Sequence, residues 1–271
     1  MIGSFLKGIL QYRGLIWEMA KRDLRNRYAG SYLGIFWTIV VPLLSSVVYI
    51  VVFSMLMQGG LRGRYVSINY AVYYFTGFTP WLLFAETLTR NLTVIRTNSS
   101  LVTKVSFPNQ ILPFSTFLSS LVAHAVLLVL TAGLIVYHQL PFSHRFYLIP
   151  LYFLLLFLIT MGLSLLFSAI CVFVRDLAEI IPILLNLIFF CTPILYTAES
   201  VVDFAPAWAR PVFLHANPFH YIVDGYRMGL LDVAAPVEWR GLAILTIYAI
   251  SFTIAGALTF RALKKSFADV L

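Results

Sequence analysis

Charged side chains are scarce in this 271-residue chain, and several long windows of the sequence contain none. Only 11% of the residues are charged, 61% are hydrophobic, and the mean hydropathy is +0.89. A soluble domain devotes about a quarter of its residues to charge. The windows without Asp, Glu, Lys or Arg lie between Arg27 and Arg62, Arg64 and Glu86, Lys104 and Arg145, Arg145 and Arg175, Glu179 and Glu199, and Arg240 and Arg261. Each is close to or longer than the roughly 20 residues that cross a bilayer as a helix, which predicts a polytopic membrane protein.

Motifs that carry chemistry are also missing. The sequence contains no GxxxxGK[ST] phosphate loop, no HExxH or GxSxG motif, and no paired carboxylates beside an apolar window. Its two cysteines, Cys171 and Cys191, form no CxxC pair and are expected to be inert thiols. His124 is the one candidate ionisable group deep in a window, and a hydrogen-bonded packing role is favoured over a proton relay. These absences predict a transport path without catalytic residues, metal or cofactor of its own, driven by another subunit.

The windows predict an all-α fold of one membrane domain, 1–271, with six spans at 33–57, 70–84, 111–137, 146–173, 180–196 and 241–260. Lys and Arg are concentrated before the first span, after the second and after the sixth, whereas the acids Glu199, Asp203 and Asp224 lie in segments assigned to the outside. By the positive-inside rule both termini are cytoplasmic. The net charge of +8 is therefore explained by topology and requires no nucleic-acid partner.

Three segments outside the spans have patterns of their own. Residues 12–28 predict an amphipathic helix in the membrane interface, and Asp23 and Arg27 interrupt its apolar side, so part of that side is expected to contact protein. The polar segment 93–110 is the longest predicted cytoplasmic connection. The proline-rich segment 198–232 contains apolar pieces too short to span, which predict short re-entrant helices on the outer side.

Five groups of residues occur in an order that is typical of one family. They are Arg22-Asp23-Leu24 with Arg27-Tyr28, Ser31, Leu33-Gly34, Trp37 and Pro42; Phe107-Pro108 with Ile111-Leu112-Pro113; Val172-Phe173-Val174-Arg175-Asp176; Thr192-Pro193-Ile194 with Tyr196; and Asn217-Pro218 followed by Arg227. Each group alone is a weak signal, but the ordered set covers nearly the whole chain. In these groups the sequence resembles the ABC-transporter permeases that export bacterial polysaccharides.

The resemblance implies a type-2 ABC exporter membrane domain, working as a homodimer with two copies of a separate ATPase subunit that binds ATP and Mg. It implies a bacterial cytoplasmic (inner) membrane location and a lipid-linked glycan as cargo, such as the O-antigen of lipopolysaccharide biosynthesis or a teichoic acid. Residues 12–28 correspond to the family's interface helix, and 98–104 to its coupling helix. The implied ATPase-coupling residues are Arg22, Asp23, Arg25, Asn98, Ser99, Leu101, Lys104, Arg175 and Asp176.

The resemblance also gives the aromatic residues a use. Aromatic rings stack on the C–H faces of sugars without one fixed hydrogen-bond register, which suits a sliding polymer. The conduit candidates are Trp37, Tyr49 and Phe53 in the first span and Phe189, Phe190 and Tyr196 in the fifth, and the implied outer-gate residues are Phe204, Trp208, Asn217 and Pro218. The competing interpretation is that such aromatic residues contact lipid or form interfacial belts.

Three alternatives stay open on the sequence alone. A type-2 exporter of a small amphiphile, drug or lipid would use similar aromatic spans. A membrane-embedded glycan or lipid enzyme would need a polar catalytic cluster, and the sequence offers scattered acids such as Glu86, Asp176 and Glu179. A passive channel or scaffold would not respond to nucleotide.

Overall fold

The computed structural model describes residues 11–27, 30–32, 34–56, 60–103, 107–232 and 237–271. All regular secondary structure in these ranges is helical, apart from an isolated antiparallel bridge between Phe142 and Leu231. The predicted all-α fold is confirmed over this part of the chain. Three predicted boundary residues, Tyr28 of the interface helix and Leu33 and Met57 of the first span, lie outside the described residues.

The helices follow one another along the chain with short connections. They are α1 (Arg13–Arg27), α2 (Trp37–Leu56), α3 (Tyr70–Asn91), α4 (Val94–Thr97), α5 (Ser99–Val102), α6 (Ile111–Tyr137), α7 (Ile149–Phe173), α8 (Leu177–Cys191), α9 (Ala198–Phe204), α10 (Arg210–Leu214), α11 (Pro218–Leu230), α12 (Trp239–Leu263) and α13 (Phe267–Val270). Single turns of 3₁₀ helix cover Gly34–Phe36, Gly63–Tyr65, Phe146–Leu148 and Lys264–Ser266.

Four helical segments of the described chain are long and apolar enough to cross a membrane, namely Trp37–Leu56, Ile111–Tyr137, Phe146–Phe173 and Trp239–Val270. Helix α8 is apolar but has 15 residues. At a rise of about 1.5 Å per residue it is shorter than a hydrocarbon core of about 30 Å. Helix α3 has 22 residues and carries Glu86 and Arg90. By length and composition the described residues therefore contain four candidate spans.

Helices α8 and α3 both differ from the bounds predicted for the fifth and second spans. The prediction extends the fifth span to residue 196, whereas α8 ends at Cys191. Thr192 precedes a proline and has an extended backbone (φ −94°, ψ 134°), the conformation that a following proline favours. The prediction ends the second span at residue 84, whereas α3 continues to Asn91. This extension is stable because the charges of Glu86 and Arg90 are paired with each other and with α1.

The long helices run between two ends of the bundle. We call one the α1 end, which contains α1, α4, α5, the turn 174–176 and α13. The other is the α11 end, which contains the segments 60–69 and 138–148, helices α9 and α10, and the last turn of α11. Helix α3 spans both ends, since the Tyr73 hydroxyl donates to the Tyr196 carbonyl (2.7 Å) and Arg90 pairs with Asp23 of α1.

Helix α3 occupies the centre of the bundle, where it contacts α6, α7, α8 and α11. Its residues 72–81 are all buried. A helix buried on every side needs apolar or internally satisfied side chains around its whole circumference. The hydroxyls of Thr76 and Thr79 meet this need by donating to the carbonyls of Tyr73 (2.8 Å) and Phe75 (2.7 Å) in the same helix.

Helices α7 and α12 are the most extensively packed pair, and they cross with their backbones in contact. A Cβ on Gly256 would overlap the backbone carbonyl of Gly162, and a Cβ on Gly162 would overlap the backbone at Phe252. At the same crossing, the Thr253 hydroxyl donates to the Leu158 carbonyl (3.1 Å). Small residues allow this close approach, as they do at many crossings of membrane helices.

Helix α2 is the least buried candidate span. Its buried residues are Thr38, Pro42 and Ser46, which lie at successive turns of one face. Its large exposed apolar side chains are Val41, Leu44, Val47, Val48, Val51, Val52, Met55 and Leu56. An apolar face of this extent marks contact with lipid or with another protein surface.

The close crossing of α7 and α12 gives a first prediction. Gly256→Ala is expected to lower the free energy of unfolding by about 1–3 kcal/mol, because the added methyl group has no space. Thermal unfolding of the purified protein in detergent measures this change. Gly133→Ala is the matched control, since a Cβ at this position on α6 meets no heavy atom within 4 Å. Equal stability of the two variants would contradict the crossing geometry.

Candidate functional site

Helix α1 is held against the bundle by a set of charged and hydroxyl groups that we call the α1 charge network (Asp23, Arg27, Glu86, Arg90, Ser119 and Ser120). At its centre, the Asp23 carboxylate accepts hydrogen bonds from Arg90 Nη2 and from the Ser119 hydroxyl. Arg90 Nη1 donates to the same hydroxyl (3.0 Å). Asp23 therefore joins α1 to both α3 and α6.

The second half of the α1 charge network lies one turn further along α1. Arg27 pairs with Glu86 of α3, and the Ser120 hydroxyl of α6 donates to the same carboxylate (3.0 Å). Arg90 lies 3.5 Å from Glu86, which connects the two halves. The expected contact of Asp23 and Arg27 with protein is confirmed. Because the Glu86 side chain is only 9% exposed, loss of one partner would leave a largely buried charge unpaired.

The segment predicted as the coupling helix, 98–104, contains the short helix α5, and Asn98 separates α5 from α4. Asn98 (φ −107°, ψ 30°) ends α4 and precedes α5, and its side-chain amide donates to the Val94 carbonyl (2.9 Å). Such local side-chain bonds compete with a continuous helix. Arg22 Nη2 donates to Asn98 Oδ1 (3.3 Å), which ties this break to α1. Ser99 and Leu101 are half-buried, and Lys104 lies outside the described residues.

The remaining predicted coupling residues are at the surface of the α1 end. Arg22, Arg25, Arg175 and Asp176 are exposed. Arg175 and Asp176 lie in the turn between α7 and α8, directly after Phe173. These four residues contribute three guanidinium groups and one carboxylate to the surface of the α1 end that a partner protein can reach.

At the α11 end, a buried arginine holds the chain that leaves α8. Arg227 of α11 is 3% exposed. Its Nη1 donates to the Pro193 carbonyl (2.6 Å), and its Nη2 to the carbonyls of Ile194 (3.2 Å) and Tyr73 (3.5 Å). Its guanidinium carbon lies 3.6 Å from the centroid of the Tyr73 ring. We call these contacts the Arg227 clamp. They satisfy the carbonyls of Pro193 and Ile194, which lie outside any helix, and provide the buried charge with partners.

Asn217 completes the connection between the end of α8 and the start of α11. Its Nδ2 donates to the Thr192 hydroxyl (2.8 Å), and its Oδ1 accepts from the Phe219 amide (3.0 Å), which caps α11. Pro218 is the first residue of that helix, where its missing N–H is harmless. The motif residues around 192–196, 217–218 and 227 are thus far apart in sequence and adjacent in space.

Two arginines that precede α3 pair with carboxylates on the helices of the α11 end. Arg62 pairs with Asp203 of α9, and Arg64 pairs with Asp224 of α11. We call residues 62–65 the Arg62–Arg64 strap, since they join two helices that do not follow one another in the chain. Both arginines lie between the first and second predicted spans, and sequence analysis did not identify their partners.

Two features let the Arg62–Arg64 strap lie close to its helices. Gly63 has φ 62°, and a Cβ at this position would overlap the Glu199 side chain. The Tyr65 hydroxyl donates to Asp224 (3.2 Å). Burial raises the pKa of the Tyr65 phenol and the neighbouring Asp224 raises it further, so Tyr65 remains protonated and can donate.

The predicted conduit residues do not form one group. Tyr49 of α2 and Phe189 of α8 contact one another, with ring centroids 5.5 Å apart, and Phe189 also contacts Trp81 of α3 (5.6 Å). Phe189 is buried within the chain, whereas the adjacent Phe190 is 49% exposed. The Tyr196 hydroxyl donates to the Phe190 carbonyl (2.5 Å). The structure therefore brings together Tyr49 and Phe189, and the exposed Phe190 ring contacts that of Phe189 (5.4 Å between centroids) from the surface.

Besides Tyr49, the conduit candidates on α2 are Phe53 and Trp37. Phe53 is half-buried. Trp37 begins α2, and its indole N–H donates to the Ser31 hydroxyl (2.8 Å) at the α1 end. Of the predicted outer-gate residues, Asn217 and Pro218 belong to the connection described above and Trp208 is 80% exposed. Phe204 ends α9, and its side chain lies outside the described part of the chain.

The buried His124 on α6 has partners that explain it without a proton pathway. Its Nδ1 is 3.2 Å from the Thr79 carbonyl, and its Nε2 is 3.5 Å from the Tyr226 hydroxyl. Both partners lie inside the bundle, on α3 and α11. No group of three His, Cys, Asp or Glu side chains in the described ranges could hold a metal ion.

Sequence analysis missed the charged residues of α3 and of the Arg62–Arg64 strap. The signal for α3 was present, since Glu86 and Arg90 are four residues apart and form an i,i+4 pair on one helix face. Their partners on α1 are 59 and 67 residues away in sequence. Arg64 and Asp224 are 160 residues apart, so no pattern in the local sequence predicts their pairing.

Comparisons with known proteins point to one family. A family model described as ABC-2 type transporter matches residues 14–231. The chain is 31% identical over 265 residues, 97% of this chain and 98% of the relative, to the O-antigen export system permease protein RfbA of Myxococcus xanthus. It is 29% identical over 258 residues, 95% of each chain, to the O-antigen export system permease protein RfbA of Klebsiella pneumoniae. A more distant relative is the polysialic acid transport protein KpsM of Escherichia coli, at 22% identity over 239 residues, 86% of this chain and 88% of the relative.

The Arg227 clamp predicts a large effect from one substitution. Arg227→Met keeps an unbranched side chain but leaves the Ile194 carbonyl without a donor and the Pro193 carbonyl with only the Tyr73 hydroxyl at 3.4 Å. It is therefore expected to lower the free energy of unfolding by about 3 kcal/mol. Thermal unfolding in detergent measures the loss. Arg240→Met is the matched control, because Arg240 is exposed and its replacement should change stability by less than about 0.5 kcal/mol. A stable Arg227→Met variant would refute the clamp.

Proposed function

We propose, from the premise that this chain belongs to the ABC-2 type transporter family, that it is the membrane-spanning permease subunit of an ATP-driven polysaccharide exporter. The cargo is a lipid-linked surface glycan of the O-antigen class, moved from the cytoplasm across the bacterial inner membrane. The observation that carries this proposal is similarity over 97% of the chain to a permease named for O-antigen export. ATP and Mg belong to the partner subunit.

The proposed topology has six spans, with the α1 end in the cytoplasm. Helices α3 and α8 then cross with the four longer spans, and the chain after α8 completes the fifth crossing in non-helical form. The exposed Arg22, Arg25 and Arg175 at the α1 end support this orientation. At the opposite end, Arg62 and Arg64 are paired with carboxylates, so their presence outside is compatible with the positive-inside trend.

Helices α9, α10 and α11 are the proposed re-entrant outer helices. Phe219 at the start of α11 lies against Phe84 of α3 (ring centroids 4.0 Å apart), whereas Arg227 lies against Tyr73. These two positions on α3 are separated by roughly 16 Å of helix. Helix α11 therefore begins well inside the bundle and ends at its outer face, as the return limb of a re-entrant segment would.

A homodimer forms the proposed conduit. The exposed apolar faces of α2 and α8 are the surfaces that a second copy would cover. The large exposed side chains of α8 are Ile180, Ile183, Leu184, Leu187 and Phe190. Tyr49, next to Phe189, would lie near that interface. In this arrangement the glycan slides between the two protomers over aromatic rings.

Coupling to ATP hydrolysis follows from the contacts at the α1 end. The partner ATPase binds the exposed residues of α1, of the α4–α5 segment and of the turn at Arg175. A displacement of α1 is passed to α3 and α6 through the α1 charge network, because Asp23 and Arg27 are each paired with a charged residue of α3. At its other end, α3 holds the chain after α8 through the hydroxyls of Tyr70 and Tyr73. Motion at the cytoplasmic face thus reaches the exit.

Depletion of this subunit in its host tests the proposed function. The expected result is loss of the glycan from the cell surface, with accumulation of the lipid-linked form on the cytoplasmic side of the inner membrane. Complementation by the same gene should restore both distributions. An unchanged glycan distribution in a strain without a second exporter would contradict the proposal and favour a small-amphiphile exporter instead.

Attachment of the partner ATPase gives a further prediction. The double variant Arg22→Glu and Arg25→Glu reverses two exposed charges on α1 and is expected to weaken binding of the ATPase by about tenfold or more, since charge complementarity fixes such contacts. Copurification and titration of the ATPase against permease in nanodiscs measure it. The same change at the opposite end, Arg240→Glu, should leave binding unaltered. Wild-type affinity in the double variant would remove α1 from the proposed docking surface.

A further inference from the structure

A second apolar cluster lies at the α1 end, separate from the main core of the bundle. We call it the α1-end cluster. It is built from α1, α4, α5, α6, α7, α12 and α13, and its members include Ile16, Met19, Ile95, Val102, Val172 and Phe267. Every helix to which we assign ATPase coupling therefore contributes to one packed group, and so does α13, which has no role in the proposed mechanism so far.

Phe267 is an unusual residue for its position. It follows the basic segment that contains Lys264 and Lys265, and all five residues around it, 264–266 and 268–269, are half-buried or exposed. Phe267 itself is 0% exposed. The chain turns back after the long helix α12 and buries this one aromatic ring among charged neighbours. The turn therefore creates a specific packing contact.

The ring of Phe267 contacts the last turns of two long helices. Its centroid lies 5.6 Å from that of Phe260 on α12, at an interplanar angle of 85°, and 6.2 Å from that of Phe173 on α7. Phe173 is the final residue of α7, and the exposed turn with Arg175 follows it directly. Helix α4 packs against the same helix α7. Phe267 therefore supports the end of α7 from one side, and the coupling segment rests on that helix.

We propose that Phe267 is a positioning residue for energy coupling. It fixes the end of α7 and, through the α1-end cluster, keeps α4 and α5 firmly seated where the ATPase pushes. This inference rests on the proposed function for its link to export, but the seating of α4 can be measured independently of any cargo.

The physical basis is the stiffness of a close-packed group. Protein interiors pack as densely as organic crystals and transmit strain with little compression. A void removes partner atoms from its lining, so the helices around it can shift without moving their neighbours. With Phe267 truncated, a push on α4 would be absorbed within the α1-end cluster before it reached α3.

Three variants isolate this role in the full chain, assembled with its ATPase and reconstituted in lipid vesicles. Phe267→Ala removes the ring, and Phe267→Leu restores much of its apolar volume. Val270→Ala shortens an exposed side chain of the same helix α13 and serves as the matched control. The quantities measured are the amount of assembled complex, the ATP hydrolysed, and the glycan transported per ATP.

We expect Phe267→Ala to assemble and hydrolyse ATP while the glycan transported per ATP falls about tenfold, in the range found for residues that carry coupling. Phe267→Leu should recover more than half of the loss, and Val270→Ala should equal the wild type. A wild-type ratio of transport to hydrolysis in Phe267→Ala would overturn the proposal. So would a lower amount of complex with an unchanged ratio, because that result indicates a structural role alone.

A spin label separates this proposal from the proposed function. Thr97 on α4 is exposed, so a nitroxide attached to Thr97→Cys, with Cys171 and Cys191 replaced by alanine, reports the mobility of α4. Phe267→Ala should increase that mobility and Val270→Ala should not. Unchanged mobility would overturn the positioning role whatever the cargo is. Absence of glycan transport by the wild-type complex, with the label behaving as expected, would instead count against the proposed function.

Discussion

The carbonyl groups of the non-helical chain that follows α8 set a requirement on which much of the structure depends. Where a helix ends inside an apolar bundle, no water is available, and an unsatisfied peptide group costs on the order of several kcal/mol. Arg227 meets the requirement by donating to Pro193 and Ile194 while its guanidinium lies over the ring of Tyr73. Because one side chain makes all these contacts, the chain after α8, the body of α11 and the N-terminal part of α3 have a single relative position.

The charged residues inside the bundle follow a related rule, since each has a partner from another element. Glu86 and Arg90 continue α3 beyond its apolar part because Arg27 and Asp23 of α1 compensate them. At its opposite end, the same helix is connected to the chain after α8 by the hydroxyls of Tyr70 and Tyr73. Helix α3 is thereby connected by polar contacts at both ends and packed on all sides between them, and in the proposed mechanism it links the two ends of the molecule.

Composition and window length predict the all-α class and most helices, because an uncharged run of sufficient length has few alternatives in a membrane. Helix α6, at Ile111–Tyr137, coincides with the predicted span for this reason. The pattern fails where tertiary contacts decide. The length of α3 depends on charge pairs with α1, and the strap arginines depend on Asp203 and Asp224, which lie 141 and 160 residues away. The local sequence does not predict the burial of Phe267 either, because the residues around it are basic and polar.

The crossing of α7 and α12 has a consequence for how this molecule can do work. With backbone against backbone at Gly162 and Gly256, neither helix has side chains that could re-pack to let the other slide. The α7–α12 pair is therefore a rigid unit. Helix α2 has the opposite character, because most of its side chains face outward and little holds it to the bundle. In the proposed mechanism, force that enters at the α1 end would displace the loosely held helices relative to this fixed pair.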